Sequence, residues 1–242
     1  MGCKSRRKAV FAFLYGNNKN MDVWVYIDGF NLYNGALKNT PYKWLDLQAL
    51  SQNLLPTDSI VKVKFFTAQV DRRFNDPKQP ERQRLYWRAI RTLPTIEIIE
   101  GQFKTRKARL PQEASIAFIE SQIEAGRSIT PLTPIFAQVR RSEEKGTDVN
   151  IATHLVHDAH LNRFDIALLI SNDSDLAEAV RIVCGEIGKP VHIFRPSTNR
   201  PNEKLKSVAT SLKNISTQHL LASQLPANLI DKQGAIAKPP TW

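Results

Sequence analysis

Cysteine is nearly absent from this chain: Cys3 and Cys184 are the only two among 242 residues. Two thiols cannot build a disulfide framework or a cysteine-based zinc site, and a reducing compartment fits such scarcity. Long apolar runs are missing too. No stretch approaches the roughly 20 residues a bilayer-spanning helix needs, so the expectation is a soluble, cytoplasmic protein without membrane contacts. Acid is the scarcer charge, with 23 Asp and Glu against 34 Lys and Arg and a formal charge of +11. That excess favours an anionic partner, because clustered cations concentrate polyanions by long-range attraction. Charge alone does not separate nucleic acid from an acidic metabolite or a membrane surface. There is no P-loop, no Ser-His-Asp order and no H-E-x-x-H arrangement.

The length suits one large α/β domain, or a core domain with small appendages. Residues 1–21 stand apart. "MGCKSRRKAVFAFLYGNNKN" has a basic start and a short apolar patch, but no small-residue cleavage site follows. Gly2 and Cys3 resemble an acylation signal, yet Arg6 occupies the position where that signal requires Ser or Thr. The segment reads as a basic tail, or as an over-extended start with Met21 as initiator.

From Asp22 onward, apolar runs alternate with amphipathic segments. "VWVYID", "IVKVKFFTAQV", "IEIIEGQFK", "DIALLIS" and "PVHIFRP" read as strands. Between them, "LDLQALSQNLLP", "PERQRLYWRAIRTLP", "TDVNIATHLVHDAHLN" and "DLAEAVRIVCGEIG" have helical spacing or helix-boundary prolines. Strands apolar along their whole length and alternating with helices predict a doubly wound α/β fold with a mainly parallel sheet. Residues 105–145 break the pattern and are expected to form an inserted arm, with a short helix and β-structure. After residue 200 a helix, "NEKLKSVATSLKN", and a C-terminal tail are expected.

Ligands of open parallel sheets bind at the carboxyl ends of the strands. Asp28 ends the first strand, Asp173 and Asp175 follow the strand at 165–171, and Asp148 opens the helix after the insertion. If the strands carrying Asp28 and Asp173 are neighbours in the middle of the sheet, all four carboxylates meet at one edge. They repel unless a cation neutralises them or some bind protons. Oxygen-only ligands favour Mg2+ or Mn2+. The competing reading for each acid is a helix cap or turn, with Asp175 a candidate N-cap.

"YIDGFNLY", "EKGTDVNIA" and "SNDSDL", in this order, resemble the NYN-domain family, a branch of the PIN-like nuclease superfamily, over about residues 22–200. The resemblance implies a PIN-like Rossmannoid sheet and a metal-dependent ribonuclease. It assigns Asp28, Asp148, Asp173 and Asp175 as metal acids and catalytic residues, and Asn31 as a polar companion. Ser171 and Asn172 would shape the turn. Some relatives of the "DGFNLY" subgroup are named instead for hydroxylation of 6-hydroxy-3-succinoylpyridine, which would require NADH and flavin. Such an enzyme must hold a pyrophosphate, usually with G-x-G-x-x-G between strand and helix. Here "DGFNLYNG" lacks that spacing and puts an anion where the pyrophosphate would sit. A non-catalytic RNA-binding module is the third alternative.

Lys104, Arg106 and Lys107, with Arg140, Arg141 and Lys145, are the candidate substrate-binding cations, since a basic rim suits a polyanion approaching carboxylates. RNA or another nucleic acid is therefore the expected partner, and a homodimer stays open. Tyr42, Trp44, Tyr86 and Trp87 either stack bases or pack the core, the latter being the usual fate of large aromatics. His154 and His157 are expected to share a helix face, with His160 rotated away. Cys184 reads as a core residue.

Overall fold

A strand apolar along its length must be covered on both faces, and the first strand meets that demand. In Asp22–Asp28 (β1) every residue from Val25 on is buried. The computed structural model describes residues 20–72, 76–111, 113–126, 136–196 and 202–242; the expectations for residues 1–19 lie outside them. After β1 come Gly29–Leu32 (α1), Leu47–Leu54 (α2), Ser59–Thr67 (β2), Gln79–Ile90 (α3) and Ile96–Glu100 (β3). Gln102–Pro111 (β4), Glu113–Glu124 (α4) and Phe136–Lys145 (β5) follow. The chain continues through Thr147–His160 (α5), Ile166–Ile170 (β6), Ala177–Ile182 (α6), Val191–Arg195 (β7), Glu203–Val208 (α7) and Ser211–Asn214 (β8). It ends with Thr217–Leu221 (α8) and a hairpin of Asn228–Asp231 (β9) and Gly234–Ala237 (β10).

The main sheet has the order β3-β2-β1-β6-β7-β8, and every pairing in it is parallel. This is the doubly wound α/β architecture. The chain winds outward from β1 in one direction and from β6 in the other, so the order reverses between these two central strands. One face buries Val23, Val25 and Ile27 with Trp44, Leu50, Trp87 and Ile90. The other buries Tyr26 and Phe66 with Ile151 and Leu155 of α5 and Val180 of α6. Trp44, Tyr86 and Trp87 are core, with the Tyr86 hydroxyl donating to Leu45 O at 2.8 Å. Tyr42 is partly buried against them.

Three stretches differ from the sequence reading. "IEIIEGQFK" is not one strand: it divides at Gly101, whose N–H donates to Thr67 O at 2.7 Å. Gln102–Lys145 then forms a separate compact unit, in which β4 and β5 pair antiparallel. The helix after residue 200 stops at Val208. Asn202 caps its start, and Thr210 Oγ1 accepts the Val191 N–H at 3.1 Å, a bond to the neighbouring strand that helix continuation would forfeit. Ser211–Asn214 therefore joins the sheet as β8. The last segment packs inward as well, with Trp242 against Trp44 and Tyr86 at centroid distances of 6.1 and 5.7 Å. Cys184 is only half-buried, 3.8 Å from Thr210 Oγ1.

Candidate functional site

Because Ile27 pairs with Ile170, Asp28 and Ser171 leave the two central strands side by side at the carboxyl edge. This is the switch point where ligands of open α/β sheets bind. Asp28 is 4% exposed. Its Oδ1 accepts the Asn31 N–H at 2.9 Å, capping α1, and its Oδ2 accepts the Ser171 hydroxyl at 3.1 Å. Ser171 Oγ in turn accepts the Asp173 N–H at 3.1 Å, and Asp173 Oδ1 accepts the Asp175 N–H at 2.9 Å. Asn31 Oδ1 accepts the Asn172 N–H at 3.1 Å. Asp28, Asn31, Ser171, Asn172 and Asp173 thus form one bonded lattice across two strand ends. Gly29 belongs to it by its size, since a Cβ there would lie 2.7 Å from Phe66 O.

The capping reading proves compatible with the site reading. Asp28 and Asp173 are both N-caps, and Asp173, not Asp175, caps the turn after β6. Burial pushes the Asp28 carboxyl up to about 6, and the charge of Asp173 adds to the rise. Hydrogen bonds from Asn31, Ser171 and Phe30 oppose it without reversing it. No basic side chain among the described residues pairs with Asp28.

Asn172 Oδ1 is buried without a hydrogen-bond partner among the described residues. An all-oxygen set of Asp28, Asp173 and this amide oxygen matches the chemistry of a hard divalent cation, and both the uncompensated carboxylate and the orphaned acceptor fit one. Asp148 is partly exposed in the first turn of α5. Asp175 is exposed and lines a groove of about 690 Å³ along α5 and α6. Among the described residues no group of three or more His, Cys, Asp or Glu side chains is arranged to hold a metal ion.

The candidate substrate cations sit on the separate ribbon. Its register pairs Arg106 with Arg141, Lys107 with Arg140, Lys104 with Glu143 and Gln102 with Lys145. Two successive rungs therefore carry four cations. Of the six, Lys145 is described as exposed, and the side chains of the other five lie outside the described residues. The histidines do not divide as expected, because His157 and His160 line the same groove while His154 turns toward Lys64 and Phe66.

Sequence reasoning missed a second buried carboxylate. Asp158 is 0% and Lys64 3% exposed. Asp158 Oδ2 accepts from Tyr26 Oη at 2.9 Å and Lys64 Nζ at 2.5 Å, and Oδ1 accepts from Arg163 at 2.8 Å. Lys64 Nζ also lies 3.1 Å from His154 Nδ1. The available signal was Lys64 itself, a charge inside the apolar run of β2.

A buried acid at the end of the first strand, joined to a Ser-Asn-Asp-Ser-Asp turn at the switch point of a parallel sheet, defines a PIN-like α/β domain. Residues 22–216 match the NYN domain, and the chain belongs to that PIN-like nuclease family. The chain is 28% identical over 243 residues to 6-hydroxy-3-succinoylpyridine 3-monooxygenase HspA of Pseudomonas putida, across 90% of this chain and 74% of that protein. A crystal structure of a protein of unknown function from Vibrio parahaemolyticus is similar in fold, with a TM-score of 0.52 and 16% identity, covering 86% of this chain and 99% of that one. Among the described residues no helix is long and apolar enough to cross a membrane.

Proposed function

We propose that the protein is a Mg2+- or Mn2+-dependent ribonuclease acting at the edge formed by β1 and β6. The observation that carries this reading is Asp28, a carboxylate buried to 4% exposure at the switch point with no basic side chain of the described residues beside it. Asp28 and Asp173, with the Asn172 amide oxygen, would hold the cation, and Asp148 and Asp175 would join them or orient the attacking water. A divalent cation there would supply an activated water and charge stabilisation for the leaving oxygen. Asn31 and Ser171 keep the Asp28 oxygens in place through the bonds described above. Lys104, Arg106, Lys107, Arg140, Arg141 and Lys145 would contact the phosphates of an RNA strand, fixing its register without reading its sequence.

The test is incubation of the purified protein and its Asp28→Asn variant with labelled single-stranded RNA and Mn2+. Cleavage is expected from the wild type, with a loss of at least about 100-fold in the variant, in the range seen when essential catalytic groups are removed. A folded Asp28→Asn variant with full activity overturns the mechanism.

The likeness to HspA favours a second reading, hydroxylation of a pyridine ring with NADH and flavin. Against it, the N-terminus of α1 is already capped by Asp28, so the position that usually receives a pyrophosphate presents a carboxylate. NADH oxidation that depends on 6-hydroxy-3-succinoylpyridine, by a protein that cleaves no RNA, would establish this reading in place of the first.

A further inference from the structure

The unit Gln102–Lys145 leaves its helix α4 uncovered: from Ile116 to Gly126 no residue is buried. At a helical rotation of about 100° per residue, Ile116, Phe118, Ile119 and Ile123 share an arc of about 160°. A face that wide normally meets a core. Here Ile116 and Ile119 are half-buried, while Phe118 is 59% and Ile123 57% exposed. A helix of 12 residues has little stability of its own and depends on packing such a face. The antiparallel pair β4 and β5 has the same need, since two strands alone are marginal without a further layer.

Charge says what the missing layer is. Residues 113–124 contain Glu113, Glu120 and Glu124 and no Lys or Arg, and the three acids fall within an arc of about 40° beside the apolar face. Those acids repel phosphates, so RNA does not suit this helix. The complement is on the ribbon, where residues 102–111 and 136–145 carry seven Lys and Arg against two Glu. At the end nearest α4, Phe136 is 39% exposed, and the guanidinium of Arg109, itself exposed, stands 4.8 Å from its ring centroid. Register and strand alternation place the Lys107–Arg140 rung on that same side of the ribbon. This side therefore joins an exposed aromatic ring to cations, as α4 joins exposed apolar groups to acids. Each copy of the chain carries one of each, so a two-fold axis satisfies both contacts at once in a closed arrangement. The Arg106–Arg141 rung belongs to the opposite side and stays available to phosphates.

We propose that the partner of α4 is a second copy of this chain: Phe118 and Ile123 pack on Phe136 of the other copy, with Glu120 and Glu124 beside its Arg109. Neither contact involves Asp28, so the dimer stands or falls apart from the ribonuclease reading.

Sedimentation velocity over a concentration series, without nucleic acid, tests it on four full-length proteins: the wild type, Phe118→Ser/Ile123→Ser, Arg109→Glu and Glu120→Arg/Glu124→Arg. The wild type should dimerise with a dissociation constant on the order of micromolar, as suits a small interface. Loss of the two apolar anchors should weaken it at least about tenfold, and each charge reversal about tenfold through like-charge contact. An equimolar mixture of the two charge-reversed proteins sets opposite charges against each other again at both contacts. It should dimerise at least about fivefold more tightly than either alone, as for a restored charge pair. A wild type still monomeric at about 100 μM, far above a micromolar constant, overturns the proposal and leaves α4 to a different partner. Dimerisation unchanged in folded Phe118→Ser/Ile123→Ser also overturns it, as does a mixture no tighter than its components. Should Phe118→Ser/Ile123→Ser not fold, the charge-reversed pair and its mixture decide.

Discussion

Asp28 and Asp158 are the same side chain at nearly the same burial, 4% and 0% exposed, and they meet opposite treatment. Asp158 receives Lys64, Arg163 and the Tyr26 hydroxyl. Among the described residues Asp28 receives only uncharged donors and a second acid nearby, and burial pushes its carboxyl up to about 6. A buried anion must be paired, protonated or supplied with an outside cation. Among the described residues the fold provides a cation in one place and none at the carboxyl edge of the same sheet. The difference separates a carboxylate held in an ion-paired cluster from one that burial keeps partly protonated.

The largest expected effect is at the paired acid. Asp158→Asn leaves Lys64 buried without its counter-charge and should cost about 3–5 kcal/mol, read by urea or thermal unfolding; a cost below about 1 kcal/mol would break the comparison. The unpaired acid should respond in the opposite sense. Its carboxyl stands at about 6 when folded against an ordinary 3.8, so the folded state holds the extra proton between those values. Its stabilising contribution is complete below about pH 3.8 and is lost as pH rises through about 6. Metal-free Asp28→Asn should therefore be more stable than wild type at pH 8, by up to about 3 kcal/mol from the shift of 3.8 to about 6 at about 1.4 kcal/mol per unit. Below pH 4 the two should converge, and a variant less stable at pH 8 contradicts the account. The smallest effect is at Ser171. Ser171→Ala removes one donor to Asp28, costing about 1 kcal/mol, and should move the pH midpoint of the wild-type stability loss upward; a downward move would mean the hydroxyl does not stabilise the carboxylate.

Asp28 and Asp173 were legible because a continuous apolar strand ending abruptly in Asp needs no partner to be recognised. The same property made the sheet legible, since strands covered on both faces carry little polar interruption. What escaped depends on contacts distant in sequence. Lys64 and Asp158 are 94 residues apart, and neither residue's neighbours announce the other. β8 escaped because "SVATSLKN" carries a helix-like start, and Thr210 turns the chain toward β7 only once β7 is there. The rotation of α5 was misjudged for a related reason: His154 is drawn to Lys64, so His157 and His160 share the outer groove. The segment after residue 214 was expected only as a tail, because Leu220, Leu225 and Ile236 reach the core from short elements that lack a helical or alternating period.

The most direct test of the central claim is the melting temperature of wild type and Asp28→Asn at pH 7.5 with and without Mn2+. If Asp28 awaits a cation, Mn2+ at about 100 times its dissociation constant should add about 2.7 kcal/mol to the wild type, a rise of about 5–10 °C. The variant should not move. An equal rise in Asp28→Asn would place the cation elsewhere and contradict the account.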